Sequence, residues 1–249
     1  MDNFQAYKDT LDNGYKYPLS NTIKITQNGT FTTQNYEPYI VFSNKNINDL
    51  SRFILSKYPK LKILIHNFAN NFAPCDNKFG GNTQEEQLFR QTNLGLTLLD
   101  IPKLYPICLI NPETKIASEI NILYTPMISI FKDSNNNYLD KVNTVGVVTS
   151  AASAYPRSIS IDYDIHKDDY YYPAEKKTML DKIHLMLSTA EKNKYDVFIT
   201  GAWGCGAFCN PTYGLAKLWR AAIRQHNVPC VIFAIPDKDL CEKFKKIIV

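Results

Sequence analysis

Apolar and polar residues are arranged along the chain in blocks that predict short strands separated by amphipathic helices. Short runs rich in β-branched and aromatic residues are typical of strands. Such runs are YIVFS (39–43), KILIHNF (62–68), PMISIF (126–131), VGVVTSAA (145–152), DVFITG (196–201) and CVIFAI (230–235). Several are apolar at consecutive positions, as in strands covered on both faces of a sheet. The pattern therefore predicts a sheet buried between two layers.

Helical periodicity fills the gaps between these runs. Helices are predicted at residues 46–58, about 84–98, 174–193, 211–225 and 238–247. This alternation predicts the α/β class, as a three-layer α/β/α sandwich with a mixed, largely parallel sheet. In such sheets ligands bind beyond the carboxyl ends of the strands. The stretch 155–173, rich in Tyr and Asp, is predicted to be a long surface loop that could also line the ligand cleft.

Length and composition place the chain among ordinary globular proteins. We expect one domain over residues 1–249, in which residues 1–38 form an N-terminal extension. No apolar run approaches the roughly 20 residues that a membrane-spanning helix needs. The first residues, MDNFQAYKDT, have neither the basic start nor the apolar stretch of a secretory signal. We therefore expect a soluble, intracellular protein, cytoplasmic or nuclear, with no membrane partner.

The cysteines and the net charge limit which metals and ligands the chain is expected to bind. Free thiols are expected for the six cysteines, because the chain is long and has no visible signal peptide. Cys205 and Cys209 lie close together, but no histidine has the spacing to complete a zinc site, so no metal is predicted. The net charge of +4 is compatible with an anionic ligand. The sequence has no dense Lys/Arg block of the kind that binds a nucleic acid duplex, so sequence-specific nucleic acid binding is not expected.

The first candidate site is the glycine loop in DVFITGAWGCGAFCNP, residues 196–211. Gly204 and Gly206 follow an apolar strand, and Asn210 and Pro211 occupy favoured N-cap and first-turn positions for the next helix. Such a loop offers backbone N–H groups to an anion, most naturally a phosphate. Its spacing matches neither G-x-G-x-x-G nor the P-loop. The alternative is that these glycines only form a tight turn.

Two aromatic residues flank these glycines. Apolar residues beside a strand end usually belong to the core, and this is the expected role of Trp203. Phe208, at the exit of the loop, is either a core residue or a ring that faces a sugar or base.

The second candidate site lies in NFANNFAPCDNKFGGNTQEEQLFRQ, residues 67–91. Thr83 and Glu86 have the spacing of a capping box, and acids in a first turn favour the helix dipole. Capping alone would therefore explain both Glu85 and Glu86. On local pattern the cap is the favoured interpretation. The neighbourhood argues against it, because polar and flexible residues lie between a strand end and this helix, where α/β proteins place sites: Asn67, Asn70, Gly80 and Gly81.

Taken together, the two segments resemble the poly(ADP-ribose) glycohydrolases, in particular the compact bacterial-type members of that macrodomain-fold family. QEE at 84–86 resembles the catalytic signature of the family, and GAWGCGAF at 201–208 resembles its second glycine loop. Weaker agreement extends in order from about Ser43 to Ile235. The resemblance implies a macrodomain-like poly(ADP-ribose) glycohydrolase domain over 1–249 that binds poly(ADP-ribose), or another ADP-ribosylated macromolecule, and releases ADP-ribose.

The resemblance also implies roles for individual residues. Glu86 would protonate the departing ribose oxygen and then activate water, while Glu85 would orient the distal ribose together with Asn70. The loop from Gly204 to Ala207 would hold the diphosphate, and Phe208 would pack against the sugar. The residues expected to bind ADP-ribose are Asn70, Gly80, Gly81, Gln84, Gly204, Cys205, Gly206, Ala207 and Phe208. No metal or cofactor is needed for this chemistry.

One departure from the family pattern concerns the first glycine loop. The family has three consecutive glycines shortly before QEE, and here the corresponding residues are Cys75, Asp76 and Asn77. A carboxylate at Asp76 would be unfavourable beside a diphosphate, and Gly80 and Gly81 could replace the missing glycines only in a shifted register. Two alternatives to the polymer hydrolase therefore stay open: a non-catalytic ADP-ribose reader, and a hydrolase for another ADP-ribose linkage on protein or nucleic acid.

Overall fold

The computed structural model describes residues 2–26, 37–77, 79–99, 104, 105, 107, 109, 110, 117–153 and 173–249. Apart from Pro173, the surface loop predicted at 155–173 lies outside the described residues.

The described chain forms helices that alternate with strands over most of its length. The helices are α1 (Asn3–Asn13), α2 (Ile47–Lys57), α3 (Gln84–Gln91), α4 (Leu94–Leu99), α5 (Pro173–Lys192), α6 (Thr212–Ile223) and α7 (Lys238–Ile248). The strands are β1 (Ile23–Thr26), β2 (Tyr39–Ser43), β3 (Ile63–Phe68), β4 (Leu109–Ile110), β5 (Ala117–Glu119), β6 (Asn121–Lys132), β7 (Tyr138–Ser150), β8 (Val197–Thr200) and β9 (Cys230–Ala234). Short 3-10 turns occur at Gly14–Lys16 and Pro74–Asn77.

The main sheet has seven strands in the order β1-β6-β7-β3-β8-β9-β2. From β7 to β2 every neighbouring pair is parallel, whereas β6 is antiparallel to both β1 and β7. Strands β4 and β5 form a separate antiparallel pair. The predicted mixed, largely parallel sheet is therefore confirmed.

Helices cover both faces of this sheet, which gives the predicted three-layer α/β/α sandwich. Helices α5, α6 and α7 bury Met186, Trp219 and Phe244 against one face. Helices α1 to α4 cover the other face, where Leu88 and Phe89 of α3 are buried. The crossovers bring the carboxyl ends of β3, β8 and β9 to one edge, where ligands bind in open α/β sheets.

The structure differs from the sequence prediction at the N-terminus and after α3. Neither α1 nor β1 was predicted as an element, and the predicted helix at about 84–98 is divided into α3 and α4. The break falls at Thr92 and Asn93. The buried Asn93 amide donates to the carbonyls of Gly14, Tyr17 and Pro18, and these bonds hold the chain away from a continuous helix. The extent of one domain over 1–249 stays a prediction.

None of the described helices is long and apolar enough to cross a bilayer. The predicted intracellular location stays a prediction.

Candidate active site

Glu86 lies in the first turn of α3, where its carboxylate caps the helix. The hydroxyl of Thr83 accepts from the Glu86 N–H, and the Thr83 N–H donates to Glu86 Oε2 over 2.8 Å. This is the capping box predicted from the sequence. Glu86 Oε2 also accepts from the Thr83 hydroxyl at 2.7 Å, and Oε1 accepts from the Gly81 N–H at 2.9 Å. Three donors therefore hold a carboxylate that is only 4% exposed.

Glu85 lies deeper than Glu86, between α3 and the end of β3. Its Oε2 accepts from the N–H groups of Asn70 and Cys75, and its Oε1 accepts from the amide of Asn67. Burial raises the pKa of Glu85 from 4.5 to about 7, against these three hydrogen bonds, which lower it. A carboxyl with a pKa near 7 holds or releases a proton at neutral pH, as acid–base chemistry requires.

Gln84 fixes the start of α3 to the edge of the sheet. Its side-chain oxygen accepts from the Phe68 N–H at 2.8 Å, and its amide donates to the His66 carbonyl at 3.0 Å. These two bonds satisfy backbone groups where β3 ends, so they determine where both glutamates lie. Gln84 lines the cavity described below, but its amide already contacts the strand. Its predicted contact with ADP-ribose stays a prediction.

Asn70 follows β3 and faces the same cavity. Its side-chain oxygen accepts from the N–H groups of Phe72 and Ala73 in a local turn, and its backbone N–H donates to Glu85. Within the described chain no hydrogen bond uses its side-chain nitrogen. That amide is therefore available to donate to a ligand hydroxyl.

Cys75 stands where the resemblance implied a glycine, and its backbone has the conformation that favours glycine. Its φ is +52°, in the left-handed region that residues with a Cβ rarely adopt. Its N–H donates to Glu85 at 3.0 Å, and burial raises the pKa of its thiol well above the ordinary range. The side chains of Asp76 and Asn77 lie outside what the structure describes.

The second glycine loop is closed by the Asn210 side chain. Its amide donates to the carbonyls of Ser153, Gly204 and Phe208, and Asn210 is 3% exposed. The predicted helix N-cap at Asn210 is wrong, because the side chain is turned into the loop and Pro211 occupies the N-cap position. Gly204 has a φ of +86°, and a Cβ there would lie 2.7 Å from the Asn210 amide nitrogen.

Several N–H groups of this loop point to an anion site. The N–H groups of Trp203, Cys205, Cys209 and Asn210 bond to carbonyls in the same turn. None of the hydrogen bonds of the described chain uses the N–H of Gly204, Gly206, Ala207 or Phe208. Gly206 and Ala207 are exposed at the edge of the cavity. Unpaired N–H groups in a turn before a helix form an anion site.

Both candidate sites line one cavity of about 610 Å³, within the size range of ligand pockets. Its lining comprises Phe68, Ala69, Asn70, Cys75, Thr83, Gln84, Glu85, Glu86, Ala202, Trp203, Gly204, Gly206, Ala207, Phe208, Ala234, Ile235, Pro236, Asp237 and Leu240. Of the predicted binding residues, Gly80, Gly81 and Cys205 are described but lie outside this lining. Among the described lining residues there is no lysine or arginine. Trp203 is buried as predicted, and its indole N–H donates to the Ser150 carbonyl.

Two features of the site were not predicted from the sequence: one end of the cavity, and Arg90 behind the glutamates. Ile235 to Leu240, at the step from β9 to α7, had a recognisable signal, since a strand end followed by a helix start also marks the two other segments. Arg90 had none. It is buried in the last turn of α3 and donates to the Gly81 carbonyl at 2.7 Å, behind the glutamates.

In the described part of the chain, no group of three or more His, Cys, Asp or Glu side chains could hold a metal ion. His66, beside the site, is fully buried with Nδ1 3.0 Å from the Thr200 hydroxyl, and burial lowers its pKa to about 3. It is a neutral core residue.

The chain belongs to the poly(ADP-ribose) glycohydrolase family. The family model for the microbial-type PARG catalytic domain matches residues 5–133, which is more than half of the chain. PARG abbreviates poly(ADP-ribose) glycohydrolase. The protein is thus an enzyme, a glycosidase of the poly(ADP-ribose) glycohydrolase type, and the family suggested by QEE and GAWGCGAF is confirmed. No curated protein sequence matches the chain.

Solved structures of the same kind of enzyme share the fold. The structure of poly(ADP-ribose) glycohydrolase from Thermomonospora curvata has a TM-score of 0.76 at 17% identity, with 98% of both chains covered. The same enzyme bound to the inhibitor ADP-HPD has a TM-score of 0.73 at 18% identity, again with 98% of both chains covered. The Deinococcus radiodurans enzyme in complex with ADP-ribose has a TM-score of 0.70 at 20% identity, covering 90% of this chain and 92% of that one. These likenesses establish the macrodomain-like fold.

Proposed function

We propose that this protein hydrolyses the ribose–ribose O-glycosidic bonds of poly(ADP-ribose) and releases ADP-ribose, with Glu86 as the general acid/base. The observation that carries the proposal is that two buried glutamates and a loop with unpaired N–H groups line one cavity. Relatives solved with ADP-ribose or ADP-HPD support the same ligand class.

The proposed reaction follows the general scheme of glycoside hydrolysis. The Glu86 carboxyl gives its proton to the departing ribose oxygen while the bond from that oxygen to the anomeric carbon of the distal ribose breaks. An oxocarbenium-like state then takes up water at the anomeric carbon, and the proton lost by that water returns to Glu86. Atoms and charge balance without a metal or cofactor.

Other residues of the cavity hold the substrate in this proposal. Glu85 and the side-chain nitrogen of Asn70 bind hydroxyls of the distal ribose, and Phe208 packs against a sugar. The free N–H groups from Gly204 to Phe208 donate to the diphosphate. Since no cation lies among the described lining residues, these N–H groups and the start of α6 supply the positive potential.

Capping and catalysis by Glu86 are compatible in this proposal. Glu86 keeps its three donors in the free protein and exchanges some of them for substrate when ADP-ribose binds. The exchange conserves the number of hydrogen bonds to a buried carboxylate, so the cost of leaving the cap is small.

The test compares wild type with Glu86→Gln. Glutamine at the third helical position still completes a capping box through its side-chain oxygen, but its NH2 group cannot accept from the Gly81 N–H, which now bonds to Glu86 Oε1. We expect polymer digestion to fall about 10²–10⁴-fold, while ADP-ribose affinity changes little and the free energy of unfolding falls by about 1–3 kcal/mol for the hydrogen bond lost at Gly81. Calorimetry with ADP-ribose provides the binding measurement.

Two other outcomes would replace this proposal. If wild type binds ADP-ribose and leaves polymer intact, the protein is a reader. If it releases ADP-ribose only from mono-ADP-ribosylated protein or nucleic acid, it is a hydrolase for that linkage.

A further inference from the structure

The basic side chains are unevenly distributed along the chain. Residues 212–249 contain seven lysines and arginines and three acids. The whole chain has 28 lysines and arginines and 24 acids, so the preceding 211 positions contain 21 basic and 21 acidic residues. The formal net charge of +4 therefore lies in the segment that forms α6, β9 and α7.

On α6 the cations form one exposed stripe. Lys217, Arg220 and Arg224 are all exposed, and with Tyr213 they follow the four-three-four spacing of a single helix face. The Lys217 ammonium lies 4.1 Å from the centre of the Tyr213 ring. No carboxylate of the described residues lies within ion-pair distance of these three cations.

Helix α7 extends this stripe. Lys243, Lys245 and Lys246 are exposed, and Arg220 of α6 donates to the Ile247 carbonyl at 3.2 Å, so the two helices meet at this seam. Lysines in a last turn also favour the helix dipole, which accounts for Lys245 and Lys246. It does not account for Lys217, in the middle of α6. We call Lys217, Arg220, Arg224, Lys243 and Lys246 the basic face, since Lys243 and Lys246 are three residues apart and share one side of α7.

The basic face begins beside the cavity. Helix α6 follows the second glycine loop directly, and α7 follows Asp237, which lines the cavity. At a rise of about 1.5 Å per residue, Arg224 lies about 18 Å along α6 from its first residue. The cavity itself contains Glu85, Glu86 and Asp237 and no cation among its described lining residues. Helices α6 and α7, whose first residues adjoin the cavity, therefore offer positive charge to a polyanion that leaves it.

We propose that the basic face binds the part of poly(ADP-ribose) that extends beyond the cavity, so that the protein holds long polymer more tightly than free ADP-ribose. This rests on the proposed function. Each polymer unit adds a diphosphate, and cations spaced along two helices neutralise such a chain with little demand on its exact position. A single-stranded nucleic acid fits less well, because stacking platforms are characteristic of such sites and Tyr213 is the only aromatic in the stripe on α6.

The experiment removes charge without removing packing. The test variant combines Lys217→Gln, Arg224→Gln, Lys243→Gln and Lys246→Gln, and it leaves Arg220 in place because that side chain holds the Ile247 carbonyl. The control removes two exposed cations that lie outside both basic helices, Lys57→Gln at the end of α2 and Lys60→Gln just after it. Both are made in the Glu86→Gln background, and binding of labelled long polymer and of ADP-ribose is measured over a salt series.

We expect the test variant to bind long polymer at least about tenfold more weakly at low salt, with the slope of log Kd against log salt reduced by about 2–3. ADP-ribose affinity and the melting temperature should match those of the parent, and the control should match it in every measurement. An equal loss in the control, or an equal loss of ADP-ribose affinity, would overturn the inference.

Matched single-stranded RNA serves as the competing ligand. If it binds as tightly as polymer and is lost in the same variant, the face belongs to nucleic acid and the inference fails. The proposed function is judged separately, by hydrolysis of polymer with the wild-type protein. If the wild type cleaves polymer and the test variant binds polymer normally, the role of the basic face is refuted and the proposed hydrolase function stands.

Discussion

Gly81 and the Glu86 carboxylate lie in direct contact. The Gly81 N–H donates to Glu86 Oε1 at 2.9 Å, and a Cβ on Gly81 would lie 2.8 Å from Glu86 Cδ and nearer still to both oxygens. Gly81 is not among the described residues with positive φ, so its backbone does not require glycine. The carboxylate requires it, because any side chain at this position would occupy the space where Glu86 lies.

Gly81→Ala should therefore displace the Glu86 carboxylate. A displacement of about 1 Å at a catalytic group can lower turnover about 10²-fold, and we expect a loss of this order in polymer digestion. ADP-ribose affinity should change much less, because Gly81 does not line the cavity. The free energy of unfolding should fall by about 1–3 kcal/mol from overpacking. Digestion kinetics, calorimetry and urea denaturation measure the three quantities.

Gly206→Ala is the matched control for a glycine in the second loop. An added Cβ there meets nothing within 4 Å, so stability should be unchanged. Gly206 lines the cavity, and its variant should weaken ADP-ribose binding more than it slows turnover. Equal effects of both variants on turnover and affinity would contradict the role that we assign to Gly81.

The left-handed backbone at Cys75 leads to a second prediction. A residue with a Cβ in this region costs about 1–2 kcal/mol more than glycine. Cys75→Gly and Cys75→Ala both remove the thiol, so they lose nearly the same packing, but only glycine relieves the backbone. We expect Cys75→Gly to be more stable than Cys75→Ala by about 1 kcal/mol. Urea denaturation of the two variants measures the difference, and a more stable alanine variant would contradict it.

Elements that one local rule determines could be predicted from the sequence. Strand β2 has the predicted bounds of 39–43, because a run of β-branched and aromatic residues between polar ones is typical of a strand. The capping box of Thr83 and Glu86 was likewise readable, since it depends on a spacing of three residues.

Contacts between distant residues could not be read in the same way. The bond from Gln84 to the His66 carbonyl spans 18 residues, and that from Asn210 to the Ser153 carbonyl spans 57. Asn210 had the local pattern of an N-cap, but its side chain bonds to the distant Ser153 carbonyl and does not cap the helix. Helix α1 was missed although Asp2 caps its first turn, because few strongly apolar residues mark its buried face.

Burial of Glu85 predicts a pH-dependent stability. The folded protein holds the Glu85 proton up to about pH 7, whereas the unfolded chain releases it near 4.5. The folded state binds more protons between these values, so the free energy of unfolding contributed by Glu85 falls as pH rises through this window, by about 3 kcal/mol in all. Glu85→Gln does not titrate. Its stability relative to wild type should therefore increase from pH 4.5 to pH 7.

The difference between the two profiles isolates Glu85, because the buried histidines titrate equally in both proteins. Urea denaturation at a series of pH values supplies the profiles. Glu242→Gln, which removes an exposed acid on α7, is the control for loss of one acid elsewhere. A flat difference profile for Glu85→Gln would mean that Glu85 ionises in the folded state as readily as in the unfolded chain.

Lys132, on β6, holds the N-terminal helix α1, which contacts the loop before α3. Its fully buried ammonium lies 2.6 Å from the Asp9 carboxylate and donates to the Thr10 hydroxyl and the Ala6 carbonyl, all on α1. Helix α1 in turn supports the loop before α3, because Asn3 donates to the Gly81 carbonyl at 3.2 Å. The Tyr7 ring also stacks on Phe79 of that loop at 4.5 Å.

Lys132→Met should loosen this support. Removing one partner of a buried ion pair costs about 3–5 kcal/mol, and because Asp9 is partly exposed we expect a loss of about 2–3 kcal/mol in the free energy of unfolding. Turnover should fall more than ADP-ribose affinity, since α1 contacts the Gly81 loop and lies outside the cavity lining. Lys141→Met, at an exposed position on β7, should change stability by less than about 0.5 kcal/mol. If Lys132→Met lost stability but kept full turnover under conditions where it is folded, α1 would stabilise the fold without positioning Glu86.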